Sequence, residues 1–346
     1  MSYTNINKSS LHFNTNLYTG NNSNTAHTGI GFQPDFVWLK VRNADGAHYL
    51  YDAIRGANKD INCNDTTAEN TTTQNLMSFD SDGYTVGTSN SVNTNGETMV
   101  GWNWKANGQG SANTDGSINT TYTSANTTAG FSIATWTTPS SGTEFTIGHG
   151  LGQAPDMMMM KCTTQANSWF VYHKGLGGNV NDYIILNDAA AEASQTKMWG
   201  VNGAETNTMG FKAGTSSYTN EPMVGYFFAE KTGYSKFGSY TGNGSTDGPF
   251  IYTGFKPAMV IIKKYTANEY WGILDNKRNP YNPVDKYLAP NRSDADNTYT
   301  TLDFLSNGFK HRSTGAMFNS SGAGYIYMAF AEAPLVGSNN VPCTAK

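Results

Sequence analysis

"PDFVWLK", residues 34–40, has the composition of a buried strand: a Pro opens it, four apolar residues follow, and Lys40 closes it. The chain writes the same phrase twice more, as "PDMMMMK" at 155–161 and "PAMVIIK" at 257–263. Repetition at intervals of about a hundred residues is a statement about architecture, and it takes precedence over any local pattern. The Pro-to-Lys spacing is constant, and a second apolar run ends twelve residues beyond each Lys, at Asp52, His173 and Asp275. Between the two runs stand "VRNADG", "CTTQAN" and "KYTAN", rich in the residue types that hairpin loops use.

Working outward, each copy continues with an Asn anchor, "NDTTAE" from Asn64, "NDAAAE" from Asn187 and "NRSDAD" from Asn291. A Gly-aromatic turn follows, and an aromatic strand closes each copy: "MVGWNWKA", "MVGYFFAE" and "YMAFAEA". The expected fold class is all-β, with three tandem β-sandwich, jelly-roll-like repeats of about 110 residues. Their expected extents are 1–116, including an N-terminal arm, 117–232 and 233–346. Helix is expected only as short capped turns; Thr66 with Glu69, and Ser293 with Asp296, have the spacing of a helix start. Pro34, Pro155 and Pro257 are expected at strand starts or edges, because Pro cannot donate to a central ladder.

Composition narrows the function. Charged residues are 14% and aromatic residues 13%, so the chain can build cores beneath a polar but mostly uncharged surface. The formal net charge is −4 and no long basic run occurs, which argues against nucleic-acid binding. No stretch is long and apolar enough to insert in a membrane as a helix. The opening "MSYTNINKSSLHF" lacks the basic-then-apolar pattern of a secretory signal. Synthesis in a cytosol combined with a surface suited to extracellular work is the combination expected of a virus particle released by lysis.

The phrases "GFQPDFVWLK", "SFDSDGYTVG", "ETMVGWNWKA", "HGLGQAPDMMMMK", "FGSYTGNGSTDGPFIYTGFKP" and "YIYMAFAEAP" carry a resemblance. Together they resemble a family of repeat-containing β-rich proteins of tailed bacteriophages of marine bacteria, cyanophages included. The resemblance covers nearly the whole chain and implies a virion or tail-appendage component; it brings no catalytic residues with it. The Met run 157–160 departs from the Val and Ile usual in such strands, and Met packs more loosely.

The residues offer little chemistry. Cys63, Cys162 and Cys343 lack metal-ligand spacing. Asp80 and Asp82 in "FDSDG" begin like a calcium loop, but Ser91 stands where its twelfth-position Glu belongs, so a Gly-bearing turn is favoured over a weak ion site. Trp102 and Trp104 alternate onto one strand face, and Trp102 is matched by Tyr226 in the second copy and Phe330 in the third, which favours core over a sugar platform. His48 and Asp52 share a face without a nucleophile nearby. No catalytic residues, metal or cofactor are therefore expected, and the chain is not read as an enzyme.

The leading expectation is a virion structural protein, a tail fibre or tail-associated appendage contributing to host-surface adhesion and assembled in the host cytoplasm. A capsid decoration or head-fibre protein and a tail-borne polysaccharide depolymerase are the alternatives. Its expected partners are other virion proteins, copies of itself in an oligomer such as a trimer, and a host surface glycan. Receptor contact is expected where the copies differ: the connection "NKRNPYNPVDKYLAPNRSDADNTYT" holds Tyr281, Tyr287 and Tyr299, and Tyr suits contact because it is amphipathic and loses little side-chain entropy. Pro34, Pro155, Pro257, Asn64, Asn187 and Asn291 are the markers of the repeat.

Overall fold

The computed structural model describes residues 3–140, 142–177, 179–213, 219–337 and 342. The chain is all-β, and its described helices are three or four residues long. In the first principal sheet the antiparallel order is Phe13–Thr19, Thr98–Trp104, Phe36–Val41, Tyr49–Asp52, then Lys59–Asn62. The second sheet has Phe131–Thr137, Pro222–Phe228, Met157–Cys162, Phe170–His173 and Asp182–Ile185 in the same succession. In the third, Ser235–Thr241, Gly324–Pro334, Phe255–Lys264 and Trp271–Asp275 repeat it once more. The Pro-to-Lys phrase thus forms a central strand each time, between the aromatic closing strand and the run ending at Asp52, His173 or Asp275.

Alternation along these strands feeds two different cores. Val37 and Leu39 point outward and pack with Leu76, Tyr84 and Val86 of a small second sheet. Met158, Met160 and Phe227 do the same with Phe145, Ile147 and Phe211, and Val260 and Ile262 with Leu302, Phe304 and Phe309. Each unit is in this respect sandwich-like. The opposite faces carry Phe36, Trp38, Trp102, Trp104, Met157, Met159, Tyr226, Phe228, Met259, Ile261, Met328 and Phe330, and all twelve belong to one shared core. The three units are therefore not beads with separate interiors.

At the centre of that shared core three matching residues meet. Trp104 lies 6.5 Å from Phe228 and 5.7 Å from Phe330, and Phe228 lies 6.1 Å from Phe330, measured between ring centroids. A mutual triangle of equivalent residues is what a pseudo-threefold axis through the aromatic side chains requires. The registers establish the equivalence: Trp38 pairs with Gly101's neighbour Trp102, Met159 with Tyr226, and Ile261 with Met328. Met328, not Phe330, is thus the counterpart of Trp102, one alternation away from the sequence expectation. Trp102 and Trp104 are fully buried, as expected of core residues.

Pro34 and Pro155 each stand two residues before their strand. Pro257 differs, lying inside Phe255–Lys264 at a β-bulge against Gly324–Pro334, while pairing to Trp271–Asp275 begins only at Met259. The bulge accommodates a residue with no amide hydrogen to contribute. The N-terminal arm is docked on its own chain: Ile6 joins the shared core, and Thr4 and Ser9 are buried.

Candidate functional site

Most of the recurring polar residues converge on the three seams between units. Lys40, Lys161 and Lys263, which end the repeated strand, are fully buried. Each amine reaches into the Asn-anchored segment of a neighbouring unit. Lys161 donates to the Thr66 carbonyl at 2.9 Å, Lys263 to Ala189 at 2.9 Å, and Lys40 to Ser293 at 3.1 Å. A carbonyl of its own unit takes a second hydrogen from each, Asn167 for Lys161, Glu269 at 2.6 Å and Val41 at 2.7 Å. Burial pushes all three amines down to about 8.

Backbone hydrogen bonds follow the same circuit. Glu69 N donates to Thr163 O at 2.9 Å, Glu192 N to Tyr265 O at 2.8 Å and Asp296 N to Arg42 O at 2.6 Å, each acceptor lying two residues beyond the seam lysine. Unit 1 is thereby joined to 2, 2 to 3, and 3 back to 1. The indoles of Trp169 and Trp271 add bonds to Asn62 O at 2.8 Å and Ile185 O at 2.9 Å. His48 takes the tryptophan's place at the third seam and accepts from the Trp38 indole at 2.9 Å.

Asn64, Asn187 and Asn291 hold the crossing segments: their Oδ1 atoms accept from the amides of His48, Trp169 and Trp271 at 2.8, 2.7 and 3.1 Å. The segments are extended, so the helix start expected at Thr66 and Ser293 does not form. The physical reason is that the acids are drawn elsewhere. Glu69 pairs with Arg55 at 3.2 Å, and Asp296 with Arg278 at 2.8 Å and Arg42 at 3.0 Å.

Two buried acid–arginine pairs complete the seams. Asp52 takes Arg55 Nε at 2.5 Å and the Tyr226 hydroxyl of the second unit at 2.7 Å. Asp275 takes Arg278 Nε at 2.6 Å and the Trp102 indole of the first unit at 3.2 Å. The second unit has His173 and Leu176 at the corresponding places, and His173 Nε2 lies 3.1 Å from Tyr327 O. A neutral pair has replaced a charged one, keeping the number of buried charges balanced. The pair residues are 0–4% exposed, so no substrate can reach them. His48 and Asp52, which share a strand face, serve this packing.

The sequence carries signals for these groups. The lysine recurs six residues after each Pro, where it looks like a strand terminator, and the Arg follows Asp52 and Asp275 by three residues.

The expected contact tyrosines do not form one patch. Tyr281 is 81% exposed, whereas Tyr287 is half-buried with its ring 5.6 Å from Phe318, and Tyr299 is 46% exposed. Val284 pairs with Leu302 and Tyr287 with Asn297, so Tyr281 lies beyond one end of this strand pair and Tyr299 towards the other. At the calcium-like sequence, Asp80 accepts from Ser78 at 2.8 Å and Thr85 at 2.7 Å, and Asp82 from the amides of Gly29 at 2.9 Å and Gly31 at 2.7 Å. Gly83 closes that turn at φ +153°. Among the described residues no three His, Cys, Asp or Glu side chains are grouped to hold a metal. Cys63 and Cys162 are buried free thiols, and Cys343 lies outside the described residues.

Open clefts lie elsewhere on the surface. One of about 490 Å³ is bounded by the N-terminal arm from Tyr3 to Ile6, Gln153 and the Glu230–Thr232 link. Another lies between the first and third units, and one beside Tyr281 lies within the third. A family model described as Domain of unknown function (DUF7483) matches residues 8–334, and the chain belongs to that family. No curated protein and no solved structure matches it.

Proposed function

We propose that this member of the DUF7483 family is a non-catalytic structural protein of a bacteriophage particle, a tail fibre or tail-associated appendage that contributes to host-surface adhesion. The observation that carries the reading is the fate of its recurring ionisable groups. The seam lysines and both Asp–Arg pairs are used to close the ring and are sealed from solvent. What the ring offers outward is unit-specific loops on a stiff support, the arrangement that favours recognition over chemistry. The polar, weakly charged surface suits a protein that works outside cells.

In this reading the chain is made in the host cytoplasm and joins other virion proteins there, with no cofactor. Tyr226 and Phe228, whose apolar face invites a subunit contact, meet neighbouring units of the same chain, while Phe227 fills the second unit's own core. A single chain thus supplies threefold geometry, and copies of it would associate through surfaces other than these.

Immunogold labelling of particles from a lysate of cells carrying the phage, with antibody raised against the full chain, tests the proposal. Label on the tail is expected. Label on the head favours a decoration protein instead, and particles without label would overturn a virion role. Loss of viscosity when the purified chain is mixed with host surface polysaccharide would overturn the non-catalytic half.

A further inference from the structure

We propose that the groove between the first and third units binds a carboxylate-bearing saccharide, with Tyr281 as its stacking platform; this deepens, and rests on, the adhesive reading above. Two adjoining depressions of about 240 and 270 Å³ share Asn276, Pro280 and Glu332 and form one groove. Together they reach the size range of small-molecule sites. The first depression lies between the strand start at Phe13–Thr15 of the first unit and Asn276, Lys277 and Pro280 of the third, and the second, which holds Tyr281, continues it along the third unit alone.

Tyr281 is exposed, yet its backbone is fixed. Pro280 precedes it, and the next residue, Asn282, both donates to Phe304 O and accepts from Phe304 N, each at 2.9 Å. An aromatic face held out to solvent on a rigid loop loses little entropy when a sugar ring stacks on it. The matching loops of the other units, 53–58 and 174–181, contain no aromatic residue, so the platform is not required by the fold.

Asn276 and Glu332 line the same depression as the ring. Asn276 Nδ2 donates to Glu332 at 2.8 Å, while its enclosed Oδ1 has no partner. Glu332 also pairs with Lys256 at 2.7 Å, which cancels one positive charge. Lys277 is exposed and makes no ion pair among the described residues. The groove therefore keeps one unmatched cation, Lys277 in the first depression, and an aromatic face, Tyr281 in the second, with the Asn276 amide and the Glu332 carboxylate common to both. That combination selects a sugar carrying its own carboxylate over a neutral one.

Saturation-transfer NMR on the full chain, with D-glucuronate and D-glucose as probes at low ionic strength, tests this. Transfer to glucuronate is expected to exceed that to glucose several-fold. Tyr281→Ala should weaken glucuronate binding by about tenfold, and Lys277→Ala should bring glucuronate down to the level of glucose. Tyr252→Ala, which alters an exposed ring outside the groove, should change neither. No transfer to either sugar, equal transfer to both, or transfer insensitive to Tyr281→Ala would overturn the proposal. Attachment of the same variants to host cells is scored separately: if the Tyr281→Ala chain still coats cells as the unaltered chain does, the groove assignment fails while the adhesive reading stands.

Discussion

The amine of Lys40 lies 3.1 Å from the carbonyl oxygen of Ser293, 253 residues further along the chain. This bond closes the circuit between the last unit and the first, next to Gly46 N on the same carbonyl at 2.8 Å. Replacing Lys40 by Met keeps the apolar stem but leaves the Ser293 and Val41 carbonyls short of a donor, at a cost of about 1–3 kcal/mol. Urea unfolding should register that loss. Amide exchange should quicken first at Gly46 and Asp296, the backbone donors across this seam, and unchanged exchange there would show the contact to be idle.

The second unit suggests a substitution for the third. Asp275→Ala removes the fully buried partner of the Arg278 guanidinium, leaves it only Asp296 as counter-charge, and should cost up to about 3–5 kcal/mol. The double change Asp275→His with Arg278→Leu copies His173 and Leu176, removes both charges together, and should cost clearly less than the single one. Chemical denaturation of both variants decides the matter; a double variant less stable than Asp275→Ala would mean that the pair matters for more than charge balance.

Much of this architecture is legible in the residues, and the limits of that legibility are physical. The alternation in "FVWLK" and the thrice-written strand identify sheets and units because side-chain period and repeat spacing are local properties of the chain. Asn64, Asn187 and Asn291 stand out for the same reason. What the pattern cannot convey is what the inner face meets, since Phe36 and Trp38 would read identically against a private core or a shared one. Lys40 misleads because a lysine after four apolar residues normally marks a strand end, and only the carbonyl of Ser293 explains its burial. The aromatic side chain in "YMAFAEA" makes Phe330 look like the counterpart of Trp102, but the register of Gly324–Pro334 gives that place to Met328.

Stability should fall towards acid and rise towards mild alkali. Burial lowers His27 and His173 to about 4 and His311 to about 3. Their unfolded value is near 6.5, so their contribution is present above that pH and is lost as pH falls towards 4. Asp35, raised to about 6 by burial, opposes this, as do Asp60 and Glu192, which burial also raises. The seam lysines, lowered to about 8, leave the folded state deprotonated before the unfolded one, so stability grows between pH 8 and the unfolded lysine value near 10.5. Above about pH 10 the buried tyrosines, whose hydroxyls are raised by burial, work in the opposite sense. Urea midpoints should order as pH 5 below pH 7 below pH 9; a midpoint that drops from pH 7 to pH 9 contradicts the lysine assignment.

Residues near the two ends of the described chain, Tyr3 and Leu335, meet at one carbonyl. Gly254 O accepts from the Tyr3 hydroxyl at 2.8 Å and from Leu335 N at 3.2 Å. A circular permutant that joins the termini through a short flexible linker and opens at the exposed turn between Thr114 and Asp115 should retain every seam. Its circular dichroism should match that of the parent and its melting temperature should stay within a few degrees. A permutant that fails to fold would contradict the meeting of Tyr3 and Leu335 at Gly254.

Differential scanning calorimetry of the intact chain tests the shared, ring-closed core most directly. One body with a common interior should melt in a single transition, with a ratio of van't Hoff to calorimetric enthalpy of about one. Three resolvable transitions, or a ratio of about one third, would mean that the units unfold independently, and would contradict the central triangle of Trp104, Phe228 and Phe330 as the heart of a single cooperative structure.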